Sequence, residues 1–336
     1  MNHDWLLVET LGAEPVVVAQ GRQMKNLVPL GLQLRRNPHL AAIQTAIAET
    51  VKTGNSLASI TPKSDRVIRT EPVQMSDGRM HGVHVWIGPA GAQPPERPTP
   101  GPLKWDMTLG VATDTVESLT NAGMDPTLEP THGRAFAEDL PARSFNRDEA
   151  KVLALMIDAA PGRTYCTTWN FTDQQGGLIR AGFVARTALE LAEDGTEHVI
   201  ARAMNLRCDL DESALPPDHL AQRILAGLSQ PGVYRALVDL GTWKLLKWLD
   251  EPCPHYDWRQ SVQFHPDDRD VLIPMTDEFE TGSTSRVLRL PGTDGGWVPM
   301  HVSVNRIEVD SGVFAGLITV RLPTTAELAE ADLRHS

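Results

Sequence analysis

Five side chains in the last third of the chain are of types that ligate metals or move protons: Cys253, His255, His265, Asp267 and Asp268. Cys-x-His is too tight for the usual zinc spacing, and no second pair completes four ligands, so no zinc motif is present. Asp267 and Asp268 directly precede Arg269–Met275, which predicts that they cap a helix, with His265 packed beside its start. Cys166 and His198 are of the types that make a nucleophile and a base. They fall in separate strand candidates with no motif around either, and a buried free cysteine is the ordinary outcome. The chain has no P-loop, no G-x-S-x-G elbow, no H-E-x-x-H and no G-x-G-x-x-G placed after a strand. The motif-borne routes to catalysis are therefore missing.

Two apolar sets are candidates for a pocket or an interface. Four of the eight tryptophans, Trp243, Trp248, Trp258 and Trp297, crowd the last hundred or so residues. Trp243 and Trp248 are five apart, so on one strand they would point to opposite faces, which favours an interface for one of them. Leu220, Ile224, Leu225 and Leu228 fall at helical spacing between Asp218 and Ser229. Pro216-Pro217 precedes that helix and Pro231-Gly232 follows it, so it reads as a discrete rod whose Leu220, Ile224 and Leu228 face a module or a partner must cover.

The elements that would hold these residues repeat. Trp5–Leu11 and Val16–Gln20 are strand candidates. A helix follows from Pro38 to about Thr53, with Asn37 as N-cap, Leu40, Ile43, Ile47 and Val51 as its buried stripe, and Gly54 as its stop. Ser56–Ile60, Arg66–Met75 and Met80–Ile87 close the segment. Lys104–Met107 and Val111–Val116 then lead to a helix over Arg147–Ala160, which Asn146 and Glu149 open like a capping box. Thr164–Phe171, Leu178–Leu191 and His198–Cys208 follow. Val233–Leu240, Trp243–Leu249, Ser285–Leu290, Gly296–Val309 and Gly312–Leu322 give the pattern a third time. Asp77-Gly78, Asp194-Gly195 and Asp310-Ser311-Gly312 join the last two strands of each segment as tight turns. The reading is α+β: three modules, each an antiparallel five-stranded sheet with helices on one face. Their spans are 1–90, 104–215 and 233–336. A Pro-rich linker over 91–103 separates the first two, overlapping the extended spacer Gly88–Pro102. The helix over 216–232, after the acidic stretch Asp209–Asp218, connects the last two.

At 336 residues each module can bury its own core. With 41% hydrophobic and 22% charged residues the chain is not of a disordered class. A net charge of −12 is poorly matched to a phosphate backbone, so no nucleic-acid partner is expected. Three widely spaced cysteines argue against a disulfide framework and for a cytoplasmic location. No apolar run is long enough to cross a membrane, and the N-terminus does not have the form of a signal peptide.

Phe264-His265-Pro266-Asp267-Asp268-Arg269 resembles the HPDD turn of PAS domains, which begins the helix ahead of the central strand. Ser285–Leu290 stands where that strand is expected. Gly295-Gly296-Trp297 and Gly316–Val320 resemble the strands that follow. The middle segment is similar to PAS or GAF sensor modules, and the whole chain resembles actinobacterial proteins of tandem PAS and GAF modules without an effector. No cysteine lies in an Asn-Cys-Arg-Phe-Leu flavin-photosensor motif, and the cofactor is unknown. The resemblance implies a non-enzymatic sensor or scaffold that takes protein partners or a small molecule. An enzyme with a cleft between modules and a partner-binding adaptor with filled cores are the competing classes.

Overall fold

The computed structural model describes residues 4–61, 65–140, 146, 148–173, 175–192, 194–210, 219–260, 263–278 and 282–335. The first sheet begins with β1 (Leu6–Glu9), β2 (Val16–Gln20) and β3 (Gln23–Pro29). Two helices follow, α1 (Leu30–Gln33) and α2 (Leu40–Thr53), then β4 (Leu57–Ile60), β5 (Arg66–Gln74) and β6 (Met80–Pro89). The second sheet holds β7 (Gly101–Asp106), β8 (Val111–Asp114), β9 (His132–Ala135), β10 (Thr164–Thr172), β11 (Leu178–Leu191) and β12 (Glu197–Arg207). Along the same stretch lie α3 (Val116–Asn121), α4 (Phe136–Asp139) and α5 (Glu149–Ile157). Helix α6 (His219–Gly227) precedes the third sheet. That sheet has β13 (Val233–Val238), β14 (Leu245–Trp248), β15 (Ser283–Pro291), β16 (Trp297–Asp310) and β17 (Val313–Arg321). Helix α7 (Arg269–Glu278) crosses from β14 to β15, and α8 (Thr325–His335) follows β17.

The three sheets are antiparallel and share one strand order. The first is β3-β2-β1-β6-β5-β4 and the second, read from its other edge, is β9-β8-β7-β12-β11-β10. The third, β14-β13-β17-β16-β15, is the same order without the outermost strand beyond β14. In each sheet the first strand therefore pairs with the last: Leu6 with Val85, Trp105 with Ala201, Ala236 with Ile318. The repeat read from the sequence is present as topology, but the expected five strands hold only for the third sheet. The first two have six. Strand β3 carries no run of buried residues, and β9 is His-Gly-Arg-Ala, so neither shows the alternation that marks a strand.

Helix α2 covers the first sheet. Ile43 and Ile47 are buried with Leu6, Ile68, Val83 and Val85. Burying such side chains stabilises by about 1.5–3 kcal/mol each. Gly54 ends the helix at φ 70°, as its place in the sequence predicts. The start differs: the helix opens at Leu40, and the Asn37 side chain accepts from the His39 N–H at 2.9 Å in a turn ahead of it. Val51 faces solvent, and Thr50 takes the buried place, its hydroxyl 2.5 Å from that of Thr70.

The chain forms two compact units. One is Met1–Asp106, Ala112–Gly133 and Ala160–Leu215; the other is Met107–Val111, Arg134–Ala159 and Pro216–Ser336. In the first unit, Leu7, Val18, Ala19 and Val73 of the first sheet share a core with Val184, Met204 and Leu206 of the second. Glu9, 2% exposed, pairs with Arg186 at 2.9 Å across the same face. The Pro-rich spacer thus links modules that share a core, where the sequence predicts that each buries its own.

In the second unit, α4 packs on β14 and α5 packs on β16 and β17. The sequence reading gave the second module its own covering helix over Arg147–Ala160. The buried face of α5, Val152, Leu153 and Met156, lies instead against the third sheet. Glu149 at its start reaches the Lys247 ammonium of β14, and both are buried. Its other oxygen accepts from the Asn146 N–H at 3.0 Å, half of the anticipated capping box. Arg147 and most of the acidic boundary stretch, 211–218, lie outside the described residues.

Candidate functional site

The third sheet is the natural place to build a site, because the sequence concentrates its aromatic and titratable candidates there. Trp248 is the last residue of β14 and is 2% exposed. Trp258 and Tyr256 come from the following loop and meet it edge-on, with ring centroids 6.3 and 6.5 Å away. Met275, Leu288, Met300 and Val320 complete the same core. Trp248 and Trp258 are thus core residues rather than a pocket or interface. Trp243 does not share a strand with Trp248. It sits in the preceding turn at φ 60°, a left-handed conformation uncommon outside glycine, and packs edge-on against Phe264 at 5.1 Å. The opposite-faces expectation therefore lapses. Trp297 is the most exposed of the four, at 40%, with its ring 5.0 Å from that of His265.

The HPDD turn is a 3-10 turn over Pro266–Asp268 that runs into α7. His265, not an aspartate, supplies its cap: the imidazole Nδ1 accepts from the Asp267 N–H at 3.2 Å. Asp268 is 1% exposed and reaches across to β15. Its carboxylate accepts from the Arg289 N–H at 2.6 Å and from the guanidinium Nε at 2.9 Å. Asp267 lies 3.8 Å from the same guanidinium. The pair fixes where the turn meets the sheet. The strand it fixes is not central: β15 stands at the edge, paired with β16.

The other chemical candidates do not converge. Cys253 is buried in the core, where burial raises its thiol pKa, whereas His255 is exposed. Among the described residues no three His, Cys, Asp or Glu are placed to hold a metal ion. Cys166 pairs with Val184 and His198 with Glu190 on the same strand β11. At about 3.3 Å per residue they stand roughly 20 Å apart, too far for a nucleophile and its base. Burial lifts the Cys166 thiol to about 11, so it holds its proton at neutral pH. His198 is committed to Asp106 at 2.7 Å and to the Thr196 hydroxyl at 3.0 Å.

What the third sheet does present is a groove of about 610 Å³, open to solvent. The long β16–β17 arm forms one wall with Arg306 and Phe314, the guanidinium carbon 3.7 Å from the ring centroid. Ile157 and Asp158 at the end of α5, and Asp239 and Leu240 beyond β13, also line it. Arg306 opposes Gly316 and Glu308 opposes Phe314, so cation and ring meet on a diagonal of the ladder. Both signs of charge and an aromatic plane border the groove. Asp239 is spent on its own turn, accepting from the Gly241 N–H and the Thr242 hydroxyl. The sequence reading did not single out Arg306 or Phe314. The alternation Arg306-Ile307-Glu308-Val309-Asp310 marks an exposed strand face and is the signal that was there to use.

Helix α6 forms where the spacing predicts. Leu220, Ile224 and Leu228 are 67%, 53% and 60% exposed, so no described module residue of this chain covers that face.

Three family models match along the chain: the N-terminal domain of Rv3651-like proteins over residues 4–96, the middle domain over 99–208 and the C-terminal domain over 218–331. The chain belongs to the Rv3651-like family. A crystal structure of an uncharacterized protein from Mycobacterium tuberculosis is 61% identical over 98% of this chain and 99% of that one, with a TM-score of 0.91. A sensory box histidine kinase/response regulator from Burkholderia thailandensis E264 is 14% identical, covering 38% of this chain and 84% of its own, at a TM-score of 0.23. An RNA-binding light-oxygen-voltage receptor is 12% identical, covering 70% and 98%, at 0.25. Those two scores are too low to bear on the fold. No curated protein matches the chain. No helix among the described residues is long and apolar enough to cross a membrane.

Proposed function

We propose that this Rv3651-like protein is a non-enzymatic sensor or scaffold of tandem PAS/GAF-type modules, working in the cytoplasm, and that its third module takes a protein partner or small ligand at the Arg306–Phe314 groove. The observation that carries this reading is how the third module spends its chemistry. Asp268, Glu149 and Lys247 are consumed in ion pairs that hold turn, helix and sheet together, and Trp248, Tyr256 and Trp258 fill the core. The groove, by contrast, offers an exposed aromatic–cation pair and no nucleophile beside a base. An open groove of this size suits an extended partner segment more than an enclosed metabolite.

Purified full-length chain, prepared from its own host and held native in a mass spectrometer, tests the reading. A retained adduct or a stoichiometric partner is expected, and Arg306→Ala together with Phe314→Ala should weaken its retention at least tenfold. A turnover that survives both substitutions, with no retained partner, would sink it.

A further inference from the structure

The linker between the first two sheets is not a free spacer. In Gln93-Pro94-Pro95-Glu96-Arg97-Pro98-Thr99-Pro100, proline fixes φ near −65° at four positions. The residue before each proline is biased to extended backbone. Only Glu96 escapes both constraints. The segment forms no helix and no strand, yet it is held along its length. The Trp5 indole N–H donates to the Pro95 carbonyl at 3.0 Å. The Arg97 guanidinium lies 3.4 Å from Nδ1 of His84. The Asn121 side-chain amide donates to the Thr99 carbonyl at 2.9 Å. Pro98 and Pro100 are buried.

The surface under this strap is aromatic. Trp5 is 5% exposed and lies 5.9 Å from His84, itself fully buried. Since arginine only donates, Nδ1 of His84 is the acceptor and the proton sits on Nε2, a buried donor with no partner among the described residues. An indole that donates to a carbonyl of a proline-rich chain, beside an aromatic floor, is how grooves read polyproline segments. A groove of about 370 Å³ runs on beside the strap, between Trp5, Gln20, Arg22 and Pro95. The local segment leaves it unfilled.

We propose that this face of the first sheet is a recognition site for proline-rich segments, occupied by the protein's own residues 93–100, and that a proline-rich segment of a partner protein binds by displacing them. The strap is suited to exchange. It makes no ladder hydrogen bonds, its Glu96–Arg22 ion pair at 3.7 Å is largely exposed, and Pro95 itself faces solvent. The partner's segment must be extended, offer a carbonyl to Trp5 and carry prolines at the spacing of Pro95 and Pro98. The inference is independent of the Arg306–Phe314 groove.

The test uses full-length chain with ¹⁵N-labelled tryptophan, the Trp5 indole signal being assigned by its loss in Trp5→Phe. The probe is a capped synthetic peptide of residues 91–100, and the control is the same peptide with every proline replaced by alanine. In the chain carrying P94A, P95A and P98A the Trp5 signal should move. Added peptide should return it saturably to the parent position, and the control should not. A tethered strap competes at millimolar effective concentration, so the parent chain should need at least tenfold more peptide. If the substituted chain does not fold, binding of the same peptide carrying a fluorescent label decides alone: saturable binding to the parent chain at millimolar concentration, absent for the labelled control, supports the proposal. No peptide-dependent shift in the substituted chain together with no labelled-peptide binding by the parent, or an equal response to the control, overturns it.

Discussion

Replacing Asp268 with Ala leaves the Arg289 N–H and guanidinium without the carboxylate that receives them. A stranded donor costs about 1–3 kcal/mol. Urea melts of D268A should show that loss, and D267A, its side chain 70% exposed, should cost well under half as much. The buried Glu149–Lys247 pair gives a sharper case. Glu149→Leu alone should destabilise by about 3–5 kcal/mol, because it removes the carboxylate that meets the buried Lys247 ammonium. Adding Lys247→Met should recover most of the loss, and a double variant as unstable as the single would refute this account. Histidine supplies a pH signature. Burial holds His81 at about 4 and His84 at about 3, against about 6.5 in the unfolded chain. Below 6.5 the unfolded chain binds the extra protons, so stability falls as pH drops from 6.5 toward 4. Each histidine adds a slope of about 1.4 kcal/mol per pH unit. His84→Gln should reduce the slope by about that increment in denaturant melts across this range. At this scale the sequence showed which residues mattered and misjudged their jobs. HPDD named Asp268, but a cap and a cross-strand clamp read alike until the strand is in place. Glu149 was visible as half of a capping box, and nothing local says that a lysine some hundred residues later meets it.

Helix α6 tests whether an exposed apolar face matters to the isolated chain. Ile224 is already half in water, so Ile224→Asp should change the melting point of the chain alone by no more than about 0.5 kcal/mol equivalent. A large loss would mean that the face is buried after all. Gly101 opens β7 against the first turn of α3. A Cβ there would lie 2.3 Å from the Ser118 backbone, which no side-chain rotation relieves. Gly101→Ala should therefore lower thermal stability more than Gly133→Ala, where space is open and only the φ of 72° is at stake. Elements with strict alternation or helical spacing were legible: α2 with its Gly54 stop, and the long hairpins of all three sheets. Strands β3 and β9 were not, because edge strands with polar or mixed sides have no face whose burial imposes a period. The placement of α5 was out of reach for a different reason. Periodicity identifies the apolar face of a helix but not the sheet that receives it.

At the scale of the whole molecule, Leu7, Val18 and Val73 bury Val184, Met204 and Leu206. A chain beginning near Lys104 would leave that face of the second sheet in water. It should aggregate or bind a hydrophobic dye where the full chain does not, and a clean monomer with unchanged melting would contradict the shared core. Proline content marked 91–103 as extended but could not show that Trp5 holds it. The common strand order has one further consequence, which concerns synthesis rather than the finished protein. The opening strand of every sheet takes its central neighbour from the end of the same module: Leu6 waits for Val85, Trp105 for Ala201, Ala236 for Ile318. No module can close while its last hairpin is still within the ribosome, and pairings this distant in sequence form slowly. The first sheet, once closed, must also hold its Leu7–Val18 face open until β12 emerges. The nascent chain therefore passes through three successive intervals with a central strand paired on one side only, and slow codons or chaperone binding would act most strongly just after β6, β12 and β17 are made.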